Sequence, residues 1–155
     1  MIRTSLSCRE ARALQRLAQG RRVVEAGALL GASAVILSQT AAHVTSIDKH
    51  QGYGPSTLQT YFSNLDIYAT RRNIQSIVGD VLDFLPTVEA DFTFLDLTGE
   101  YDLTFHSLQV VTSPLVAVHD LHRVGCEGVE RAILDAGFRI TSQVDSLAIC
   151  ERRVK

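Results

Sequence analysis

Short apolar runs alternate with amphipathic stretches along this chain, and that alternation predicts strands separated by helices. Apolar runs bounded by turn or polar residues predict seven strands: Arg22–Ala26, Val44–Ile47, Asn73–Val78, Asp91–Leu95, Pro114–Val118, Phe138–Val144 and Ser146–Glu151. Apolar residues at helical spacing predict helices at residues 5–19, Leu30–Thr40, Thr57–Ile67, Thr104–Val111 and Glu127–Ala136, with at most one helical turn at Val81–Leu85. The predicted fold class is α/β, with a doubly wound, mostly parallel sheet and an antiparallel strand at its end.

The first predicted helix carries its own start signal. Ser7 and Glu10 form the S-x-x-E pattern of a capping box, and Gly20 follows the last apolar residues of the helix. We expect this helix to be a scaffold that packs on the edge of the sheet ahead of the first strand. The predicted organisation is an N-terminal helix in residues 1–20 and a single domain in residues 21–155.

Composition narrows the class of protein. Of 155 residues, 46% are hydrophobic and 21% are charged, which is typical of a globular domain with a proper core. The net charge is −2 with no basic stripe, so nucleic acid is not an expected partner. The three cysteines lack zinc or disulfide spacing, and no apolar run is long enough for a membrane span. We therefore expect a cytoplasmic protein without a membrane partner.

The segment from Val23 to Ser33, VVEAGALLGAS, predicts a buried strand, a glycine turn and the start of a helix. A dinucleotide fingerprint would need a glycine where Leu29 stands, and a Walker loop would need a lysine after Gly31. Both phosphate-binding readings are therefore disfavoured. A nucleoside ligand with a positive charge near Glu25 fits better, and S-adenosylmethionine is such a ligand.

The same segment resembles motif I of class I S-adenosylmethionine-dependent methyltransferases, in the E-x-G-x-x-x-G-x-S form of small O-methyltransferases. An ordinary strand–turn–helix unit of another α/β protein is the alternative reading. The predicted tail also resembles the methyltransferase sheet, whose last strand is antiparallel. The resemblance implies a Rossmann-like, doubly wound, mostly parallel seven-stranded sheet, and it covers nearly the whole chain.

Acidic residues end three of the predicted strands, where an open parallel sheet binds its ligand. Asp48 follows Gly27 by 21 residues, the spacing of an acidic residue that binds ribose hydroxyls; a solvated turn aspartate is the alternative. The resemblance implies that Asp80 accepts from the adenine amine, although Asp80 also suits a helix N-cap. It further implies that Glu25 binds the methionine ammonium. The predicted cofactor contacts are Glu25, Gly27, Ala28, Gly31, Ser33, Asp48, Lys49, Asp80, Val81 and Asp96.

Asp96 lies in the sequence FLDLTGEYD, which resembles the F-I-D-G-D-H-S-Y segment of small metal-dependent O-methyltransferases. The segment departs from that pattern because Leu97 replaces a glycine and residues 98–100 replace Asp-His-Ser. Tyr101 keeps its aromatic place. We expect Tyr101 and Asp102 to lie on the loop after the fourth strand and to border the methyl acceptor.

His119 and Asp120 end the fifth strand, in a run, HDLHRVGCEGV, that resembles the H-D-Y-x-R-P-G-V-x-x-A segment of the same group. Neighbouring strands lie about 4.8 Å apart, so Asp96, His119 and Asp120 should converge as the catalytic residues. They could hold Mg²⁺ or another divalent metal that lowers the pKa of an acceptor hydroxyl, or form a hydrogen-bonded cluster without metal. In the metal-free case His119 is the expected general base.

These features predict an S-adenosylmethionine-dependent methyltransferase that acts on an oxygen of a small molecule. No N-P-P-Y-like motif follows the fourth strand, which disfavours methylation of DNA bases or glutamine nitrogen by analogy. A non-catalytic module that binds S-adenosylmethionine or S-adenosylhomocysteine is one alternative. A lyase that cleaves S-adenosylmethionine is another. The minimal chain also makes a homodimer plausible.

Overall fold

The computed structural model describes residues 2–51, 54, 56–69 and 72–153, and it contains one seven-stranded sheet. In chain order the strands are β1 (Arg22–Ala26), β2 (His43–Asp48), β3 (Ile74–Val78), β4 (Phe92–Leu95), β5 (Leu115–Val118), β6 (Phe138–Val144) and β7 (Leu147–Arg152). The spatial order is β3-β2-β1-β4-β5-β7-β6, with β1 to β5 parallel and β7 antiparallel between β5 and β6. The predicted fold class is confirmed.

Six α-helices connect and cover the strands within the described residues. They are α1 (Cys8–Ala18), α2 (Ala32–Ser38), α3 (Thr57–Tyr68), α4 (Val81–Phe84), α5 (Tyr101–Val110) and α6 (Gly128–Asp135), with a 3₁₀ turn at Leu85–Thr87. The fifth helix begins three residues earlier than predicted, so Tyr101 and Asp102 belong to its first turn instead of a loop. None of the helices in the described ranges has the length and apolar character that a bilayer crossing requires.

The capping box at the start of α1 is confirmed. The Ser7 hydroxyl accepts from the backbone N–H of Glu10, and the Glu10 carboxylate accepts from the backbone N–H of Ser7 at 2.7 Å. The helix contacts the edge strand β6, and its apolar side also reaches further across the sheet. Leu14 of α1 shares a buried cluster with Leu37 of α2 and Phe94 of the central strand β4. The apolar stripe of α1 is therefore buried against one face of the sheet.

The sheet is buried on both faces. Val23 and Val24 of β1 point to opposite sides, as successive residues of a strand must, and they belong to different core clusters. The second cluster gathers Leu108 of α5, Ile133 of α6 and Phe138 of β6. The strand order reverses between β1 and β4, since the chain adds β2 and β3 on one side of β1 and then β4 and β5 on the other. The carboxyl ends of β1 and β4 therefore form a topological switch point, where open α/β sheets bind ligands.

Candidate active site

A cavity of about 890 Å³ opens at this switch point. The predicted site residues that line it are Gly27, Ala28, Ser33, Asp48, Lys49, Asp80, Val81, Asp96 and Asp120. Three others, Glu25, Gly31 and His119, are not among the lining residues. Of these, Glu25 and His119 are buried side chains whose hydrogen bonds reach residues of the wall. The structure thus brings the predicted residues to one edge of the sheet. Most of them lie on the cavity wall, and Glu25 and His119 are buried behind it.

The turn after β1 requires glycine at Gly27. Its φ is +92°, and a Cβ there would lie 2.8 Å from the carbonyl carbon of Asp96 and still closer to the carbonyl oxygen. Both the left-handed backbone and the close approach exclude a side chain. Gly31 also has a positive φ, +86°, but a Cβ there would meet the ring of Tyr61 at 3.1 Å. Gly31 therefore serves the packing of α3 instead of contacting the cavity.

Asp48 holds the glycine turn in place. Its Oδ2 accepts from the backbone N–H groups of Ala28 and Leu29, each at 2.8 Å, and its Oδ1 accepts from that of His50 at 2.6 Å. Sequence reasoning did not anticipate these bonds, because they join residues about 20 positions apart. A carboxylate has about four lone-pair sites, so one remains, and the predicted contact with ribose stays a prediction.

Asp80 caps α4, as one of the two sequence-based readings predicted. Its Oδ1 accepts from the backbone N–H of Leu82 at 2.9 Å, and its Oδ2 lies 2.5 Å from the ammonium of Lys49. The hydrogen bond from Lys49, with that from Leu82, lowers the pKa of Asp80. Asp80 is thus an ionised acceptor on the cavity wall, and its contact with adenine stays a prediction.

Glu25 is fully buried beneath the glycine turn. The Ser46 hydroxyl donates to its Oε2 at 2.6 Å, whereas Oε1 has no hydrogen-bond partner within the described ranges. Burial raises the pKa of Glu25 to about 7; the nearby hydroxyls of Ser33 and Ser46 oppose the rise, and the charges of Asp96 and Asp48 add to it. A buried oxygen without a partner is costly, so a donor placed at Oε1 would stabilise this carboxyl group.

His119 is the centre of a buried charge cluster. Its Nδ1 lies 3.1 Å from both Asp96 Oδ1 and Asp120 Oδ1, and its Nε2 lies 3.2 Å from Ser146 Oγ and 3.6 Å from Glu10 Oε1. Burial lowers the pKa of His119, but hydrogen bonds and charges from Asp120 and Asp96 outweigh it and raise the pKa to about 10. The ring is therefore an imidazolium at neutral pH. In this state both ring nitrogens carry protons, so the role of His119 as general base stays a prediction.

Glu10 is a member of this cluster that sequence reasoning missed. Its Oε1 accepts from the backbone N–H and the hydroxyl of Ser146, both at 2.8 Å, across 136 positions of sequence. Burial raises the pKa of Glu10, but hydrogen bonds from Ser7 and Ser146 and the charge of His119 lower it overall. The capping-box pattern in the sequence predicts the hydrogen bond between Glu10 and Ser7. The hydrogen bonds from Ser146 to Glu10 depend on where α1 packs, which that pattern does not show.

Asp120 adopts a strained backbone conformation after β5. Its φ is +67°, which is uncommon for a residue other than glycine and concentrates at functional sites. Arg123, which the sequence analysis did not single out, donates from Nη1 to Asp120 Oδ1 at 2.6 Å. Burial raises the pKa of Asp120, but His119 and Arg123 outweigh it and lower the pKa.

The predicted metal ligands offer suitable atoms but already have other partners. One donor atom from each of Asp96, His119 and Asp120 lies within 4.8 Å of the other two. However, the imidazolium of His119 and the guanidinium of Arg123 already balance the two carboxylates. A divalent cation would have to displace Arg123 and the Nδ1 proton of His119 together. In this arrangement the two carboxylates are paired with cations of the chain, and metal binding stays a prediction.

Tyr101 and Asp102 do not border the cavity as expected. The Tyr101 hydroxyl donates to Asp135 Oδ2 at 2.8 Å, and Arg131 lies 4.9 Å above the Tyr101 ring. Because the early start of α5 turns Tyr101 toward α6, other side chains line this part of the cavity. They are Leu97, Thr98 and Leu103.

Solved structures with the same fold include methyltransferases. The cofactor-bound structure of Rv0187 from MTB matches with a TM-score of 0.75 and 21% identity, over 100% of this chain and 84% of that one. The S-adenosylmethionine-dependent O-methyltransferase from Thermotoga maritima matches with a TM-score of 0.76 and 12% identity, over 99% and 68%. The ribosomal protein L11 methylase from Lactobacillus delbrueckii subsp. bulgaricus matches with a TM-score of 0.71 and 12% identity, over 93% and 77%.

No protein-family model and no curated protein matches this chain in sequence. At these identities the structural matches establish the fold alone, which is the Rossmann-like methyltransferase fold. The matched proteins include enzymes for different acceptors, so the acceptor must be inferred from the site of this chain.

Proposed function

We propose that this chain is an S-adenosylmethionine-dependent methyltransferase that acts on an oxygen of a small molecule. One observation carries the proposal: Glu25 is fully buried under the glycine turn and keeps one carboxyl oxygen without a partner in the described part of the chain. A ligand ammonium would supply both the missing donor and the opposite charge. The net charge of −2 favours a small molecule over nucleic acid as acceptor.

The residues proposed to bind the cofactor lie at the ends of different strands, and each strand end suits a different part of the ligand. Asp48, Asp80 and Val81 line the β2–β3 side of the cavity and are suited to the ribose and adenine. Glu25 belongs to the carboxyl end of β1, and Asp96 follows β4, so the methionine part belongs between them. When bound, S-adenosylmethionine supplies an electrophilic methyl group on a sulfonium. The glycine turn and Asp48 keep the rigid surface on which that ligand is aligned.

Asp96 is the group best placed to act on the acceptor hydroxyl. It lines the cavity, and its side-chain hydrogen bond with His119 engages only Oδ1. Its Oδ2 can therefore accept a proton from the hydroxyl as the methyl group is transferred. His119 and Asp120 act through Asp96, since the imidazolium fixes the direction of the Asp96 carboxylate and Asp120 holds the imidazolium.

The proposal is tested by incubating the protein with methyl-labelled S-adenosylmethionine and a metabolite extract, followed by mass spectrometry. We expect a labelled small molecule that the Asp96→Asn variant does not produce. Asp102→Asn is the matched control, because Asp102 is exposed and does not line the cavity. Equal product from wild type and Asp96→Asn would contradict the assignment of the proton acceptor.

Two other functions are tested by the same experiment, because little of the chain covers the acceptor side of the cavity. Only residues 96–100 connect β4 to α5, so little chain covers the space beside Asp96. If the labelled cofactor is bound but stays intact, the protein is a binding module. If the cofactor is consumed without any methylated product, the protein is a lyase.

A further inference from the structure

The charged side chains on the cavity wall are mostly matched in pairs. Lys49 lies 2.5 Å from Asp80, and Arg123 lies 2.6 Å from Asp120. Asp96 is paired with the protonated ring of His119 at 3.1 Å. Within each pair the charges cancel, and Glu10 on the other side of His119 adds one negative charge to the cluster.

Two charged groups of the wall remain outside these pairs. Asp48 is bonded to three backbone N–H groups, which stabilise its negative charge locally. Arg3 is exposed, and within the described ranges it has neither an ion pair nor a hydrogen bond to its guanidinium. Arg3 is therefore the one cavity-lining cation of the described chain whose charge and donors are uncommitted.

The segment that contains Arg3 is connected to the β4–β5 side of the cavity. It is fastened at buried Leu6 and at Ser7, whose hydroxyl donates to Asp145 at 2.7 Å. The backbone carbonyl of the following residue, Ser146, accepts from the backbone N–H of Leu121, next to Asp120. Arg3 itself lines the same cavity as Asp96 and Asp120.

Three other cavity-lining residues supply a second cation and an apolar surface. Arg123 is about half exposed, with 49% of its side chain accessible, and its bond to Asp120 engages one of five N–H donors. Leu97, next to Asp96, and Leu103, in the first turn of α5, line the same cavity. The region therefore presents spare guanidinium donors beside an apolar wall.

We propose that the methyl acceptor is a small acid, with an apolar body against Leu97 and Leu103 and an anionic group bound by Arg3 and Arg123. The anionic group is a carboxylate or a phosphate, since guanidinium donors match the oxygens of both. This proposal rests on the proposed function, because it assigns the β4–β5 side of the cavity to the acceptor.

The test uses protein saturated with S-adenosylhomocysteine, after calorimetry has shown that this ligand binds. Affinities are then measured by nuclear magnetic resonance titration for three probes with the same hydroxyl: 3-hydroxybenzoate, 3-hydroxyphenyl phosphate and the neutral 3-hydroxybenzamide. We expect at least one acid to bind about tenfold more tightly than the amide, as one charge-assisted contact predicts. The tighter of the two acids identifies the anionic group.

Arg3→Gln should remove most of that preference while leaving the affinity for S-adenosylhomocysteine unchanged. Arg12→Gln is the matched control, because Arg12 is an exposed arginine of α1 outside the cavity, and it should keep the preference. Equal binding of acid and amide, an undiminished preference in Arg3→Gln, or no binding of either acid at millimolar concentration would overturn the proposal. Failure of S-adenosylhomocysteine to bind would instead refute the proposed function, and this proposal with it.

Discussion

At the scale of single residues, Gly27 carries two constraints that can be separated by experiment. Gly27→Ala adds a Cβ to a left-handed residue and also forces it against the carbonyl of Asp96. Gly137→Ala has a similar φ of +84°, but its Cβ would meet nothing within 4 Å. Both variants should lose about 1–2 kcal/mol through backbone strain. Thermal unfolding should show a larger loss for Gly27→Ala, together with lost affinity for S-adenosylhomocysteine. Equal losses of stability would show that the close approach costs nothing.

Glu25 predicts how stability changes with pH. Its pKa in the folded protein is about 7, above the ordinary value of 4.5, so the folded state keeps a proton that the unfolded chain releases. Stability should therefore fall as pH rises from about 4.5 to 7, by at most about 3 kcal/mol. Glu25→Gln should remove this contribution, which urea unfolding at pH 5 and pH 8 would detect. The same slope in both proteins would contradict the raised pKa.

Which site residues the sequence could predict depends on how each is positioned. Asp48, Asp80 and Asp96 were identifiable because strand ends can be read from apolar runs, and strand ends place residues at one edge. The protonated state of His119 was not identifiable, since it follows from Asp96, Asp120 and Glu10 meeting around one buried ring. No local pattern in the sequence contains that information.

At the scale of elements, the start of α1 is joined to the turn between β6 and β7 through Glu10. The capping box was visible in the sequence, but the packing of α1 over the sheet, and hence the bond to Ser146, was not. Helix starts were similarly hard to place: α5 begins at Tyr101, with no side-chain hydrogen bond at its N-cap, Glu100. Helix boundaries depend on packing that spacing alone does not reveal.

Replacing Glu10 tests this junction. Glu10→Ala should lower the free energy of unfolding by about 2–4 kcal/mol, because charged hydrogen bonds to Ser7 and Ser146 are lost together. Glu89→Ala is the control, since that side chain is exposed and 3.8 Å from Arg22. A double-mutant cycle with Ser146→Ala should show coupling between the two positions. Additive effects in denaturant unfolding would mean that α1 and the turn are independent.

At the scale of the whole molecule, the strand order determines where the cavity lies, and the balance of charges around His119 determines which side chains are free to act on a ligand. The reversal of strand order between β1 and β4 was predictable in kind, because alternating strands and helices admit few topologies. The balance of charges around His119 was not, because Arg123 and Glu10 reach the cluster from different elements. Under the proposed function, this balance is the reason for assigning the proton transfer to Asp96 without a metal ion.

That balance predicts the effect of a chelator. Activity and S-adenosylhomocysteine binding should be unchanged in excess chelator, because two cations of the chain already neutralise Asp96 and Asp120. Assays with and without added Mg²⁺ or Mn²⁺ check this expectation. Activity that disappears in chelator and returns with metal would show that the cluster rearranges to bind an ion.

The site itself is tested by calorimetric titration of wild type and Glu25→Gln with S-adenosylmethionine. We predict that wild type binds one equivalent, with an affinity that rises as pH increases through about 7 and Glu25 ionises. We predict much weaker binding by Glu25→Gln, with no such pH dependence. Absence of binding by the wild-type protein, or equal affinity in the two proteins, would contradict the assignment of this cavity.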